Sequence, residues 1–295
     1  MTFVETIRKQ LVQSTTRQII FSSFTGTVGG VVAFGFIVLA AVMKLTGTAL
    51  LPYKPLAINL PDALKPPSLA HWFGTDSLGR DVFSRVLAAL PIDALVSFTV
   101  VISALILGLV MGSLAGYRGG LVEEVIMRIT DVFLAFPGLV LALAIAIDLG
   151  PNTYNSILAL TPVWWPYYTR LARGEALNLK SQDFVLASRA VGQRTRHILL
   201  RHIIPGILPV MLVYATLDVG NVLITFSVLS FIGVGAQPPA PELGLMVVQD
   251  EQYLFQAPWV VLVPSIVIFI IAIGYSMFGD KLRDALDPRV RGLYN

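Results

Sequence analysis

A chain of 295 residues that is 55% apolar and only 13% charged, with a mean hydropathy of +0.75, departs from the roughly 45–50% apolar and 25% charged usual for soluble domains. The apolar residues come in long runs, so the chain reads as an all-α integral membrane protein, which excludes most soluble enzymes. The net charge of +3 sits beside those runs, as membrane topology and anionic headgroups require and nucleic acid does not.

The first apolar run, Ile19–Met43, has 25 residues and follows a tail with Arg8, Lys9 and Arg17. A signal peptide's apolar core is about 7–15 residues long, so this run reads as a retained span whose amino end is cytoplasmic. From 44 to 91, Pro52, Pro55, Pro61, Pro66 and Pro67 deny helix and central strand and predict an extramembrane connection. Apolar segments follow at 94–115, 124–148, 153–172, 206–232 and 258–278. Pro162 and Pro166 interrupt the segment at 153–172. Trp164, Trp165, Tyr167 and Tyr168 crowd it, as in an interfacial belt.

Counting Lys and Arg segment by segment gives an orientation. Three lie in the amino-terminal tail, two at Arg118 and Arg128, seven from Arg170 to Arg201 and four from Lys281 to Arg291, sixteen on one side. The other side has five, Lys44, Lys54, Lys65, Arg80 and Arg85, all in the first long loop. The asymmetry predicts six transmembrane helices with both termini cytoplasmic. With no cysteine in the chain, disulfides, thiolate metal sites and a cysteine nucleophile are excluded. His71, His197 and His202 are too scattered to suggest a metal site.

Small residues recur every fourth position at Ala104, Gly108, Gly112, Gly116 and Gly120. In lipid such a row lets a second backbone approach closely, and helix packing is its expected role. From 181 to 205 the chain reads SQDFVLASRAVGQRTRHILLRHIIP. Ser181 with Asp183 reads as a helix start and Gly192 as a carboxyl-terminal cap needing positive φ. A second short helix begins near Thr195 and stops before Pro205. Apolar residues alternate there with Arg189, Arg194, Arg196 and Arg201, an amphipathic unit too short to span. Such a unit lies on the membrane surface or docks into a partner's groove, and spacing alone favours the surface.

Ala187 and Ser188, then Gly192, then Pro205 thirteen residues on, resemble the EAA loop of ABC importer permeases. Leu186 stands at that loop's glutamate, Ser188 at its second alanine and His202 at its isoleucine. Residues 74–81, Gly-Thr-Asp-Ser-Leu-Gly-Arg-Asp, are similar to a segment of the C-type permeases of dipeptide, oligopeptide and nickel importers. Five further segments follow that family in order: 115–120, Met127 to Pro137, Leu229 to Pro239, 257–259 and Gly279 to Arg289. With this resemblance, docking is favoured over the surface reading.

The resemblance implies a type I ABC importer fold, a five-helix core plus an amino-terminal helix, in a bacterial or archaeal cell membrane. Residues 1–91 would hold the tail, first helix and long external loop. Residues 92–281 would form the core, with the coupling element at 181–205, and 282–295 a cytoplasmic tail. No GxxxxGK[ST] phosphate loop is present, so ATP and Mg²⁺ belong to two partner ATPase subunits and no cofactor is expected on this chain. The other implied partners are a second permease subunit, giving a heterodimer, and an extracytoplasmic substrate-binding protein. Ala187, Ser188, Arg189, Gly192, Arg194, Arg196 and Pro205 would couple to an ATPase, with the three arginines as candidates for ion pairs.

Asp218 is the one clear mid-span charge, and it lines the pathway or braces helices by a hydrogen bond to Asn221, with the brace favoured. Phe226 stands where the family commonly has glutamate, so it joins the candidate pathway residues. Asp131 and Asp148, near span ends, read as solvated. The 233–258 loop, with Glu242, Asp250 and Glu251 and no basic residue, reads as a solvated external loop beneath a binding protein. A secondary transporter would show an inverted repeat and several intramembrane charges. An intramembrane enzyme would show a nucleophile and base at a recognisable spacing. Neither pattern is found.

Overall fold

The structure, a computed structural model, describes residues 24–286. Residues 19–23 of the first apolar run and the basic residues Arg8, Lys9, Arg17, Arg289 and Arg291 lie outside that range. Among the described residues the regular elements are helical, apart from one isolated bridge between Thr75 and Asp81. They are α1 (Phe24–Thr46), α2 (Val82–Arg118), α3 (Gly120–Leu134), α4 (Gly138–Leu149), α5 (Thr153–Lys180), α6 (Asp183–Ala190), α7 (Thr195–Ile198), α8 (Ile204–Ile232), α9 (Leu243–Gln249) and α10 (Trp259–Leu286).

Residues 24–46, 82–118, 195–232 and 259–286 are each helical, long and apolar enough to cross a bilayer. The 124–148 segment is not one helix. It is divided between α3 and α4, which meet at an 86° bend and together have the composition of a fifth span. The bend falls at Pro137, whose backbone is extended (φ −57°, ψ 125°) because proline cannot continue a helical ladder and pushes Phe136 out of helical geometry. Pro162 and Pro166, by contrast, do not interrupt α5, which runs unbroken for 28 residues. Its aromatic residues and the charges from Arg170 onward leave it less apolar than the other long helices. Helix-interior prolines are tolerated where neighbouring helices hold the backbone, and α5 is held along its length by α2.

The α2–α5 contact is where the glycine row lies. A Cβ on Gly108 would come within 2.8 Å of the Thr169 nitrogen, one on Gly112 within 2.7 Å of the Ala172 Cβ, and one on Gly116 within 2.8 Å of the Ala176 Cβ. Side chains at these positions would push the helices apart, so the row sets their separation. Gly120 leaves the row. It follows Gly119 in the turn between α2 and α3, at φ +58° and +71° respectively. α8 packs against α2 and α10, and α1 lies against α10 and α2.

The external connection ends earlier than Pro91, which lies inside α2. Asp81 caps that helix, accepting from the Ser84 N–H at 2.8 Å and contacting His71 Nδ1 at 2.9 Å. The buried Asp76 accepts from the Leu78 and Arg80 N–H groups, each at 2.9 Å, from Arg80 Nε at 2.6 Å and from the Arg85 guanidinium. Arg85 also donates to Gln249 Oε1 at 2.9 Å, and Trp259 Nε1 donates to the Thr75 carbonyl at 3.1 Å. Residues 74–81 therefore knot the long loop to the ends of α9 and α10. Two guanidiniums can be buried there because Asp76 faces both.

Candidate functional site

The 183–205 element is a helix, a turn and a second helical stretch. α6 begins at Asp183 with Gln182 as its N-cap. Ser181 instead closes α5, its hydroxyl donating to the Asn178 carbonyl at 3.0 Å. The expected N-cap thus moves by one residue. After α6 the Gly192 N–H bonds the Arg189 carbonyl at 3.0 Å and the Gln193 N–H bonds the Ser188 carbonyl at 3.1 Å. These two bonds define a Schellman cap, and Gly192 takes φ +77°. No atom lies within 4 Å of where its Cβ would be, so glycine is required by backbone geometry and not by crowding.

The second helix does not stop before Pro205. A π-helical turn at Leu199–Ile203 joins α7 to α8, with the Ile204 N–H bonding the Leu199 carbonyl five residues back. Pro205 then falls in the first turn of α8, where its missing N–H costs no ladder bond. α7 and the fifth apolar segment are therefore one continuous helix, and α6 joins it through the Gly192 turn.

Val185, Ile198 and Ile203 are buried and anchor the element, while Leu186, Ala187, Arg189, Val191, Gly192, Arg194 and Arg196 are exposed. Ser188 is buried and its hydroxyl, besides donating to the Phe184 carbonyl at 2.9 Å, lies 3.3 Å from His202 Nε2. These are two of the three positions that depart from the EAA pattern, and they touch each other. The third departure, Leu186, is 46% exposed, which puts an aliphatic side chain on the outer face. Arg194, Arg196 and Pro205 line a hollow of about 510 Å³ beside α7.

A larger cavity of about 860 Å³ opens between α5 and α8. Trp164, Tyr167 and Tyr168 line it from α5. Tyr214, Asp218, Asn221 and Thr225 line it from α8, at the spacing of one helical face. Asn221 Nδ2 donates to Asp218 Oδ1 at 3.3 Å within α8 itself, so this bond ties no two helices together, and both residues face the cavity. Phe226 is fully buried and is outside the lining. Asp131 is ion-paired with Arg170 at 2.7 Å.

The 233–258 loop is not simply solvated. Glu242 is fully buried and Asp250 is 2% exposed. Glu242 caps α9, accepting from the Gly244 and Leu245 N–H groups at 2.9 and 2.6 Å. Burial pushes the Asp250 carboxyl above the usual range, against contacts from Ser77 that lower it. Asp218 is also not alone within the helices, because α2 starts early enough to enclose a fully buried Asp93. No group of three or more metal-ligating side chains is found among the described residues.

Residues 104–292 match the family described as "Binding-protein-dependent transport system inner membrane component". The chain belongs to this family. It is 41% identical over 256 residues, 87% of this chain and 86% of the relative, to the probable D,D-dipeptide transport system permease protein DdpC of Escherichia coli K12. Over 233 residues it is 40% identical to the dipeptide transport system permease protein DppC of Alkalihalophilus pseudofirmus, covering 79% and 77% of the two chains. Over 254 residues it is 37% identical to the nickel transport system permease protein NikC of E. coli K12, covering 86% and 92%. An inward-facing structure of the MetNI methionine ABC transporter shares the fold, with a TM-score of 0.54 and 18% identity over 66% of this chain and 94% of that one. The protein is thus a multi-pass ABC importer permease, a family of transport components.

The Asp76–Arg85–Gln249 link, the Ser188–His202 contact and the burial of Asp93 and Glu242 were not legible in the sequence. Glu242 alone gave a local sign, as an acid directly before an apolar helix, the position of an N-cap.

Proposed function

We propose that this permease forms half of the translocation pathway of an ATP-driven importer for dipeptides or oligopeptides, or for a small solute such as a nickel chelate. Its partners would be a second permease subunit, two ATPase subunits and an extracytoplasmic binding protein. The observation that carries the reading is the exposed, Gly192-capped α6, joined by its turn to α7, which a π-turn fuses to α8. A push on α6 by closing ATPases passes through the Gly192 turn to the continuous α7–α8 rod and along it to the cavity wall at Asp218.

The same reading makes α5 a sixth span. Its close seam with α2 compensates for its weaker hydropathy, and the sixteen-to-five distribution of basic residues keeps both termini cytoplasmic. The core would run over 92–281, flanked by 1–91 and 282–295. Arg189, Arg194 and Arg196, exposed around the Gly192 turn, are suited to acidic groups on the ATPase.

The test is purification of the tagged chain from its own membranes, with two ATPase polypeptides and a second permease expected in the same complex. Uptake that persists after deletion of the ATPase genes would identify a secondary transporter instead. For the cavity, Asp218→Asn should lower uptake while the complex stays intact. A less stable complex with normal uptake would reduce Asp218 to a brace.

A further inference from the structure

Two acids at the other end of α8 from the coupling element have no part in that function. Asp93, on α2, and Glu242, at the start of α9, are both 0% exposed, and their carboxyls are in hydrogen-bond contact with each other. Glu242 is well supplied with donors, the Gly244 and Leu245 N–H groups and the Ser230 hydroxyl. Asp93 is not. Neither of its oxygens receives a hydrogen bond from the described residues, although the Leu243 N–H lies nearby. The hydroxyls of Ser97, one turn along α2, and Ser227, one turn before Ser230, are buried and unpartnered too.

An ionised carboxyl offers only acceptors. Two of them touching in a buried site repel unless a proton lies between them. Among the described residues nothing else supplies the missing charge. Arg85, two turns earlier on α2, is committed to Asp76 and Gln249, and Arg80 to Asp76. Asp250 lies at the far end of α9 and is itself acidic. The neighbouring face of α8 offers Ser227 and Ser230, and the charged residues of α10 begin only at Asp280, at its opposite end.

We propose that Asp93 and Glu242 together bind a single proton, and that this proton clamps α9 and the external loop onto α2. Glu242 keeps the negative charge, because two backbone N–H groups already point at it. Asp93 carries the proton and donates it to Glu242. Burial pushes the Glu242 carboxyl above the usual range in spite of those two N–H groups. α9 itself packs tightly beneath the pair, where a Cβ on Gly244 would come within 2.6 Å of the Ser227 Cα, so loss of the clamp frees a helix that otherwise seals the outer end of α8.

The sign follows from linkage. Protons bind more tightly to the docked pair than to separated carboxyls, so docking is fully stabilised below the ordinary carboxylate range and weakens as pH rises through the pair's own value. The clamp therefore opens on the alkaline side.

The experiment uses the assembled complex in lipid nanodiscs, followed by hydrogen exchange of the α9 amides and by infrared spectroscopy from mildly acidic to alkaline pH. In the unaltered protein a protonated-carboxyl band should titrate away. Between the ordinary carboxylate range and that titration, α9 exchange, corrected for its intrinsic base catalysis, should accelerate about tenfold per pH unit, the slope of one linked proton, and level off once the band is gone. In Asp93→Asn the amide still donates to Glu242, so α9 should stay protected with no such slope and the band should be missing. A flat corrected exchange profile in the unaltered protein would overturn the proposal, as would a band left undiminished in Asp93→Asn. Both measurements on the unaltered protein stand even if the variant fails to fold.

Discussion

Replacing Gly192 separates backbone strain from steric bulk, because the glycine sits at φ +77° with nothing within 4 Å of where a Cβ would stand. An L-residue held in the left-handed region costs roughly 1–2 kcal/mol, with asparagine tolerated better than others. β-branched residues are genuine outliers there. A penalty of that size shifts the ordered turn against its frayed forms by roughly 5–30-fold. Gly192→Val should therefore leave the membrane domain folded and the chain expressed, since Gly192 is exposed and packs on nothing. It should uncouple ATP hydrolysis from uptake or weaken ATPase association. Gly192→Asn, of similar bulk, should retain most coupling. The assay is ATPase activity and solute uptake in proteoliposomes, with ATPase retention during purification. Normal coupling in Gly192→Val would refute a role for this turn. Equal impairment by Val and Asn would show that bulk at the interface matters and backbone strain does not.

Gly112→Leu should separate α2 from α5 and lower the stability of the purified complex by about 1–3 kcal/mol of overpacking, read as a lower melting temperature. Gly174→Leu, which meets no atom within 4 Å, should change it far less, and equal losses would dismiss the seam. Asp76→Ala strips the counter-charge from two buried arginines and should cost about 3–5 kcal/mol, read as a lower melting temperature and faster proteolysis of the external loop. Wild-type stability in that variant would deny that 74–81 knots the loop to α9. Ser188→Ala and His202→Ile should each impair coupling modestly by removing their contact, at about 0.5–1.5 kcal/mol, since Ser188 keeps its bond to the Phe184 carbonyl and His202 is only partly buried. The double substitution should recover, and strictly additive losses in a double-mutant cycle would rule the contact out.

Much of the molecule was readable locally. Runs of apolar residues, the four-residue glycine spacing and Gly192 report on one helix or one turn at a time, where the physics is set by near neighbours in sequence. The readings that changed were those in which a local rule met a tertiary context. Pro137 broke its segment while Pro91, Pro162 and Pro166 did not. A proline's cost depends on whether another helix packs over the freed carbonyl. Pro205 looked like a stop and became the first turn of α8, because a π-turn had already shifted the bonding register before it.

The sequence by itself determined that this chain is a membrane protein, which ends of its helices are basic, and that it carries a short amphipathic element capped by a glycine. Those properties follow from composition and spacing, which a bilayer reads directly. Only the tertiary structure decided which charges are buried and what they face. Asp76 meets Arg85, Arg85 meets Gln249, Ser188 meets His202, and Asp93 meets Glu242, across separations of 9 to 164 residues along the chain. A carboxyl's charge, partners and cost of burial are set by such neighbours and by the exclusion of water, and neither can be read from the residues beside it in sequence.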